Sequence, residues 1–182
     1  AQQGIGRATA EALGYAGASV IVNFLDDYEA ALQVVESIQK CGSSAKAVKG
    51  DVGLRSDCEE MMTAGGLWGG VDLLVNNAGI FPRKDFLDLS EEDWSRVQNV
   101  NVMGGFRCLQ LMARELIAKN KPGTAVNLAS AAFFRNSPKG SHYAATTGAI
   151  IGFRRPFSTE LAPQGIRVNA LAPGKVDTAP PR

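Results

Sequence analysis

Val71-Asp72-Leu73-Leu74-Val75-Asn76-Asn77-Ala78-Gly79 sets the architecture of this chain. The segment is a short apolar run that stops at small and polar residues, as does a strand of a parallel sheet that is covered on both faces. Four further runs of the same form lie at residues 20–22, 45–48, 125–128 and 166–172. Together these runs predict the strands of a parallel sheet.

Amphipathic segments alternate with the predicted strands. They span residues 7–15, 29–40, 55–67, 91–119 and 142–161. The segment 91–119 is too long for one ordinary helix, and Gly104-Gly105 marks a predicted bend or point of close packing. Alternating strands and helices favour an α/β fold, a doubly wound parallel sheet with helices on both faces. Because the sequence has no linker, repeat or low-complexity tract, we predict a single domain over residues 1–182.

The composition gives no indication of a nucleic-acid or membrane partner. Of the 182 residues, 45% are hydrophobic and 20% are charged, which is ordinary for a globular protein. A net charge of +1 gives no electrostatic reason to expect nucleic acid or an anionic membrane as a partner. The three cysteines are odd in number and lack metal-ligand spacing, which favours reduced thiols in a cytoplasmic protein without a metal site.

The two ends of the sequence have the composition of loops. The chain opens on Ala1-Gln2-Gln3-Gly4 without an initiator methionine and stops at Pro180-Pro181-Arg182. We interpret the sequence as a fragment of a longer protein that lacks the first strand and the C-terminal part.

The turn Gly4-Ile5-Gly6 opens the first predicted helix. A helix N-terminus presents free N–H groups and the positive end of the helix dipole, and both favour a bound phosphate. Glycine leaves room for the phosphate to approach the backbone. By itself this turn fits a structural helix entry equally well, so the motifs that follow carry the interpretation.

Polar motifs follow the predicted strands in a fixed order. They are Asp51-Val52, Asn76-Asn77-Ala78-Gly79, Asn101 within Asn99-Val100-Asn101-Val102, Ser130, and Pro173-Gly174-Lys175-Val176-Asp177-Thr178. Most of them stand at the carboxyl ends of strands, where ligands bind in open α/β sheets. With Tyr143 after Ser130, this series resembles the short-chain dehydrogenase/reductase family in its classical branch.

The resemblance runs from residue 1 to about residue 178 and implies a partial Rossmann domain that binds a nicotinamide cofactor. In the family the glycine turn meets the phosphates, the aspartate after the third strand meets adenine, and the last motif meets the nicotinamide carboxamide. The cofactor-binding residues that this implies are Gly4, Ile5, Gly6, Asn23, Phe24, Asp51, Val52, Asn77, Ala78, Gly79, Tyr143, Pro173, Gly174, Val176 and Thr178.

The resemblance also assigns catalytic roles. Tyr143 would transfer a proton to or from the reacting oxygen, Ser130 would donate a hydrogen bond to it, and Asn101 would help to hold the site. A free tyrosine side chain has a pKa of about 10, and the family lowers it with a lysine four residues later on the same helix face. This sequence has Thr147 at that position. We therefore predict a reductase with severely reduced activity, unless Lys139 or Lys175 supplies the missing charge.

The choice of cofactor depends on the end of the second strand of the family fold. Val22-Asn23-Phe24 is similar to the Val-Asn-Tyr of 3-oxoacyl-carrier-protein reductases and glucose dehydrogenases. Phe24 stands where NAD-specific relatives carry an aspartate, which slightly favours NADP(H) over NAD(H), with Arg7 as a candidate phosphate neighbour. Asp26 and Asp27 weigh mildly towards NAD(H).

The resemblance implies hydride transfer between the nicotinamide and a small carbonyl or secondary alcohol. It leaves the substrate open among ketoacyl, sugar, polyol and cyclic alcohol types. It also implies a homodimer or homotetramer, paired through the helices of residues 91–119 and 142–161. A second interpretation remains, since Thr147 is also expected of a catalytically inactive protein that binds the cofactor or serves in assembly. Pro156, which interrupts the last predicted helix, predicts a kink.

Overall fold

The computed structural model describes residues 1–135 and 137–178. Within them the chain forms parallel strands joined by helices, which confirms the α/β class. Contacts divide the chain into two compact units, which are Ala1–Gly70 with residues 176–178, and Val71–Lys175. Residues 180–182, predicted to be loop, lie outside the described residues.

The first unit contains two parallel strands and three α-helices. Its elements are α1 (Gly4–Tyr15), β1 (Val20–Phe24), α2 (Tyr28–Lys40), β2 (Ala45–Lys49) and α3 (Arg55–Ala64), followed by a 3₁₀ turn at Gly65–Trp68. β1 and β2 pair in parallel, with Val20 opposite Ala45 and Phe24 opposite Lys49.

The core of this unit lies between β1 and α2. Val20, Val22 and Phe24 of β1 are buried because alternate residues of a strand point to one face. They join Ala31, Val34, Val35 and Ile38 of α2 in one cluster. Gly14 allows α1 to pack on α2, since a Cβ atom at Gly14 would lie 2.6 Å from Cγ2 of Ile38.

The second unit contains three parallel strands in the order β3-β4-β5. Its main elements are β3 (Leu73–Asn76), α4 (Glu91–Gln98), a π-helical turn (Asn99–Met103), α5 (Gly104–Ala118), β4 (Gly123–Leu128), α6 (Ser141–Leu161) and β5 (Ile166–Leu171). Short 3₁₀ turns lie at Phe86–Asp88, Ala131–Phe133 and Ala162–Gln164. Buried residues of α5 and β5 include Leu109, Met112, Leu116, Ile166 and Val168.

The predicted strands and helices are confirmed, with ends that shift by a few residues. The segment 91–119 is interrupted as expected, but the irregular turn is Asn99–Met103 rather than Gly104-Gly105. Gly105 contacts Asn76, whose Nδ2 donates to the Gly105 carbonyl at 3.1 Å, and a Cβ atom at Gly105 would lie 3.5 Å from that nitrogen, an ordinary contact distance. Helix α6 runs through Pro156.

Among the described residues, Cys41, Cys58 and Cys108 form no disulfide bond. In the part of the chain that the structure describes, no helix is both long and apolar enough to cross a membrane. The prediction of a single domain over residues 1–182 stays a prediction.

Candidate active site

Tyr143 lies in the first turn of α6 and is half-buried. Its ring packs against that of Phe81, with 6.0 Å between the ring centroids and 55° between the planes. Phe81 follows the Asn77-Ala78-Gly79 motif at the end of β3. The end of β3 and the start of α6 therefore meet at the predicted proton donor.

Asn101 fixes this junction from inside the π-helical turn. Its side-chain amide donates to the carbonyl of Ile80 at 2.9 Å, and its Oδ1 accepts from the Ile80 N–H at 2.8 Å. The same amide donates to Oγ1 of Thr146 at 3.2 Å. Single π turns inside helices are frequent at functional sites. Asn101 thus binds the loop after β3 to the helix that carries Tyr143.

Thr146 is the second member of this link, and sequence reasoning did not single it out. Its hydroxyl donates to the carbonyl of Tyr143 at 2.7 Å and accepts from Asn101, and its side chain is fully buried. A threonine inside a helix carries no distinctive signal. The one sequence feature that could have drawn attention to Thr146 is its position three residues after Tyr143, on the same helix.

Thr147 is buried in α6, with 2% of its surface exposed. Its hydroxyl donates to the carbonyl of Ala144 at 2.8 Å. Of the two candidate replacement cations, Lys139 forms an ion pair with Asp85 at 2.9 Å, and Lys175 lies exposed after β5.

Ser130 directly follows β4 and caps the 3₁₀ turn Ala131–Phe133. Its Oγ accepts a hydrogen bond from the N–H of Ala132 at 3.1 Å, so the hydroxyl proton is free to be donated elsewhere. The N–H of Ala131 donates to the carbonyl of Pro173 at 2.9 Å. This bond joins the loop after β4 to the Pro173-Gly174 motif after β5.

A layer of asparagines fixes the strand ends that carry these motifs. Asn76 and Asn127 are register partners on β3 and β4, and Nδ2 of Asn76 donates to Oδ1 of Asn127 at 2.8 Å. Asn76 also donates to the carbonyl of Gly105 at 3.1 Å, and Asn127 to that of Asn169 on β5 at 3.3 Å. Asn76 belongs to a motif already visible in the sequence, whereas Asn127 is recognised only as its register partner in the structure.

The glycine turn lies in the first unit. Gly4 adopts φ of 57°, a left-handed conformation that favours glycine, and begins α1 without a side-chain cap. Ile5 is half-buried and Gly6 is buried. A Cβ atom at Gly4 would lie 3.8 Å from Cβ of Thr178, so the first and last predicted cofactor motifs meet here. Val176 and Thr178 are both exposed.

The other predicted cofactor residues of this unit serve structural contacts. Asn23 donates to the carbonyl of Gly50 at 2.9 Å across the β1–β2 pair. Phe24 is buried and packs on Tyr28 at 5.4 Å between ring centroids. Asp51 accepts from the N–H of Gly53 at 2.7 Å, and the carbonyl of Val52 accepts from the Cys58 thiol at 3.5 Å.

Two acids beside the glycine turn also have partners. Asp26 accepts from Nε2 of Gln2 at 2.8 Å, and Oε1 of Gln2 accepts from the N–H of Leu25 at 3.0 Å. Asp27 caps α2 by accepting from Ala30. Arg7 pairs with Glu11 at 3.1 Å. Asp26 is therefore the carboxylate fixed at the turn.

Comparison with known proteins identifies the family. A profile described as short chain dehydrogenase matches residues 1–180. The chain belongs to the short-chain dehydrogenase family. It is 36% identical over 179 residues to a 3-oxoacyl-acyl-carrier-protein reductase of Synechocystis sp., which covers 98% of this chain and 72% of that protein. It is 34% identical to 3beta-hydroxysteroid dehydrogenase 1 of Eggerthella lenta, over 97% of this chain and 68% of that protein.

A solved structure of the same family confirms the fold. The structure of acetoin dehydrogenase from Enterobacter cloacae matches with a TM-score of 0.90 and 32% identity, over 95% of this chain and 69% of that chain. The predicted Rossmann-like, doubly wound α/β fold is thereby confirmed. As a short-chain dehydrogenase the chain is an oxidoreductase of the type that acts on CH–OH and keto groups.

Proposed function

We propose that this short-chain dehydrogenase uses a nicotinamide cofactor to interconvert a carbonyl compound and a secondary alcohol. The observation that carries the proposal is the bond network of Asn101, which holds Ile80 and Thr146 and so ties the loop after β3 to the helix of Tyr143. Such a network gives a proton donor a fixed position, which acid–base catalysis requires.

The residues present fit a dinucleotide. The first turn of α1 lacks a side-chain cap, and Gly4 has φ of 57° with no Cβ atom to obstruct a phosphate. At the other motif, a Cβ atom at Gly79 would lie 3.3 Å from Oδ1 of Asn101, which makes glycine the fitting residue there. When bound, the nicotinamide supplies or accepts the hydride.

Tyr143 and Ser130 would stabilise the negative charge that develops on the substrate oxygen. In the reducing direction the Tyr143 hydroxyl gives its proton to the oxygen as the carbonyl becomes an alkoxide, and in the oxidising direction it takes the proton back. Ser130 stabilises that oxygen with its hydroxyl proton, because its Oγ already accepts from Ala132.

Thr147 should impair this chemistry. Its hydroxyl is committed to the carbonyl of Ala144, and a threonine carries no charge with which to assist proton transfer. Lys139 is held by Asp85 and does not provide an obvious substitute. We therefore propose slow turnover with cofactor binding retained.

We propose a slight preference for NADP(H) over NAD(H). Phe24, at the end of β1, is buried against Tyr28 and offers no carboxylate to a ribose hydroxyl. Asp26 opposes this preference, because its carboxylate is fixed beside the glycine turn by Gln2.

Ketoacyl, sugar and polyol compounds are all within the proposed substrate range. Relatives with quite different substrates in their names, a 3-oxoacyl-acyl-carrier-protein reductase and a hydroxysteroid dehydrogenase, are of similar identity to this chain. We also propose assembly into a homodimer or homotetramer through α4, α5 and α6, and a cytoplasmic location.

The test of this function separates binding from turnover. Dissociation constants for NADPH and NADH should be measured by cofactor fluorescence, and turnover should be followed with a panel of ketones. We expect both cofactors to bind and at least one ketone to be reduced slowly, with Tyr143→Phe abolishing turnover but not cofactor binding. If neither dinucleotide binds, the proposal is wrong.

A further inference from the structure

Three exposed phenylalanines lie in the loops that follow β3 and β4, and we call these three residues the aromatic wall. Phe81, Phe133 and Phe134 are 55%, 49% and 68% exposed. Large aromatic side chains left open to water beside polar loops commonly mark a binding site. One of the three, Phe81, contacts Tyr143, the proposed proton donor.

Residues of the wall from both loops contact helix α6. The Phe81 ring packs on that of Tyr143 at 6.0 Å between centroids. The Phe133 ring lies over Gly148, one and a half turns further along α6, where a Cβ atom would be 2.8 Å from Cδ2 of the ring. Phe133 and Phe134 meet edge to face at 5.0 Å.

The loops that carry the wall are bonded to each other. The N–H of Lys84 donates to the carbonyl of Lys139 at 2.9 Å, and Nη1 of Arg83 donates to that of Pro138 at 2.8 Å. Lys139 also pairs with Asp85 at 2.9 Å. These bonds hold the two loops together, and the three rings of the wall stay exposed beside them.

We propose that the substrate carries a ring-sized apolar group, aryl or alicyclic, next to its carbonyl carbon, and that this group packs on the aromatic wall. The inference rests on the proposed function, because Tyr143 must act on the adjoining oxygen. Apolar and aromatic groups gain by packing on exposed rings, whereas a polyol would have to give up water without finding polar partners there.

The test measures ligand binding as well as turnover. Acetophenone and dihydroxyacetone serve as probes, and their binding to the full chain is followed by ligand-observed NMR with and without NADPH. The variants are Phe81→Ala and Phe133→Ala, with Phe86→Ala as the matched control, because Phe86 is a 74% exposed aromatic residue of the same loop outside the wall. Thermal unfolding of each variant checks that the fold is retained.

We expect acetophenone to bind at least about tenfold more tightly than dihydroxyacetone, and each wall variant, but not Phe86→Ala, to weaken it by roughly tenfold. Equal binding of the two probes, or binding of acetophenone that the wall variants leave unchanged, would overturn the inference. Failure of the proposed function is a separate result, since it appears as absent binding of NADPH or absent turnover whatever the outcome for the probes.

Discussion

The hydroxyl of Thr147 donates a 2.8 Å hydrogen bond to the carbonyl of Ala144 on the same helix. The side chain is 2% exposed, so it packs inside the second unit and does not reach outwards as a long cationic side chain would. This position is where the family resemblance expects a lysine. The bond to Ala144 therefore satisfies the buried Thr147 hydroxyl, and in the proposed mechanism the threonine supplies no positive charge to Tyr143.

Thr147→Lys should raise turnover by at least about 100-fold, the lower end of what a tuned proton donor contributes. The control is Thr147→Met, which has comparable length and no charge and should leave the rate close to that of the parent. The measurements are kcat and kcat/KM for the reduction of a ketone substrate, together with the pH at which the rate is half-maximal. Parent and lysine variant turning over at the same rate would show that Thr147 does not limit this enzyme.

Thr146 should act as a positioning residue for Tyr143, because its hydroxyl joins Asn101 to the first turn of α6. Thr146→Val keeps the shape and removes both bonds, at a cost of about 1 kcal/mol in unfolding free energy. In the Thr147→Lys background we expect kcat to fall by about tenfold while KM for the cofactor stays constant. Thr146→Ser should restore kcat. A uniform loss of stability with kcat intact would assign Thr146 a purely structural role.

The sequence predicted the parts of this structure that depend on local patterns. Short apolar runs that end in polar residues located β1 to β5. Motif order proposed Asn101, Ser130 and Tyr143 as site residues, and their roles stay predictions. The sequence missed contacts between residues far apart in the chain. Nothing in the sequence marks Thr146, because its hydrogen bond comes from Asn101, which is 45 positions away in the chain. The contact of Phe81 with Tyr143 depends in the same way on tertiary packing.

The division of the predicted helical segment 91–119 also depends on tertiary contacts. The π-helical turn at Asn99–Met103 lies where Asn101 forms hydrogen bonds with Ile80 and Thr146. The hydrophobic periodicity of the segment does not predict these bonds. Gly104-Gly105 was predicted to mark a bend or a point of close packing, but the irregular turn lies just before it, and Gly105 contacts Asn76 through its carbonyl. Tertiary hydrogen bonds override local propensity at such points.

Asp26→Asn should shift the preference between cofactors towards NADPH. The carboxylate of Asp26 is fixed by Nε2 of Gln2 at 2.8 Å, beside the glycine turn, where it would repel a 2′-phosphate. Asparagine keeps an acceptor for Gln2 and removes the charge. We expect the ratio of the dissociation constants of NADH and NADPH to rise roughly tenfold, an effect that should shrink in high salt. Asp27→Asn, at the cap of α2, is the control; an equal shift there would indicate a general charge effect.

Asp93 should make the start of α4 sensitive to acid. Hydrogen bonds from Lys84 and from the backbone and side chain of Ser90 lower the pKa of Asp93 from 3.8 to about 2. A carboxyl group whose pKa is lowered by folding stabilises the folded state at pH values above its pKa in the unfolded chain. That contribution is lost as the pH falls towards 2, the pKa of Asp93 in the folded state. Asp93→Asn should therefore unfold at lower urea than the parent near neutral pH and match it below about pH 2. A gap that is constant across this range would mean that the charge of Asp93 does not contribute.

Pro156→Ala should stabilise the protein. Pro156 lies inside α6, where it has no N–H to donate to the preceding turn, and it is exposed, so that alanine removes no core contact. Proline in a helix interior is about 3 kcal/mol less favourable than alanine, and we expect a gain of roughly 1 to 3 kcal/mol in unfolding free energy from urea denaturation.

The matched control is Pro163→Ala, because Pro163 occupies the first positions of the 3₁₀ turn Ala162–Gln164, where a fixed φ suits the backbone. That substitution should be neutral or destabilising, since it frees the unfolded chain without relieving any strain. If the two variants shift the urea midpoint equally, the helix has already adapted to Pro156. If only Pro156→Ala raises it, the proline is a local defect in the helix that carries Tyr143, and its removal also tests whether α6 limits the activity of the Thr147→Lys variant.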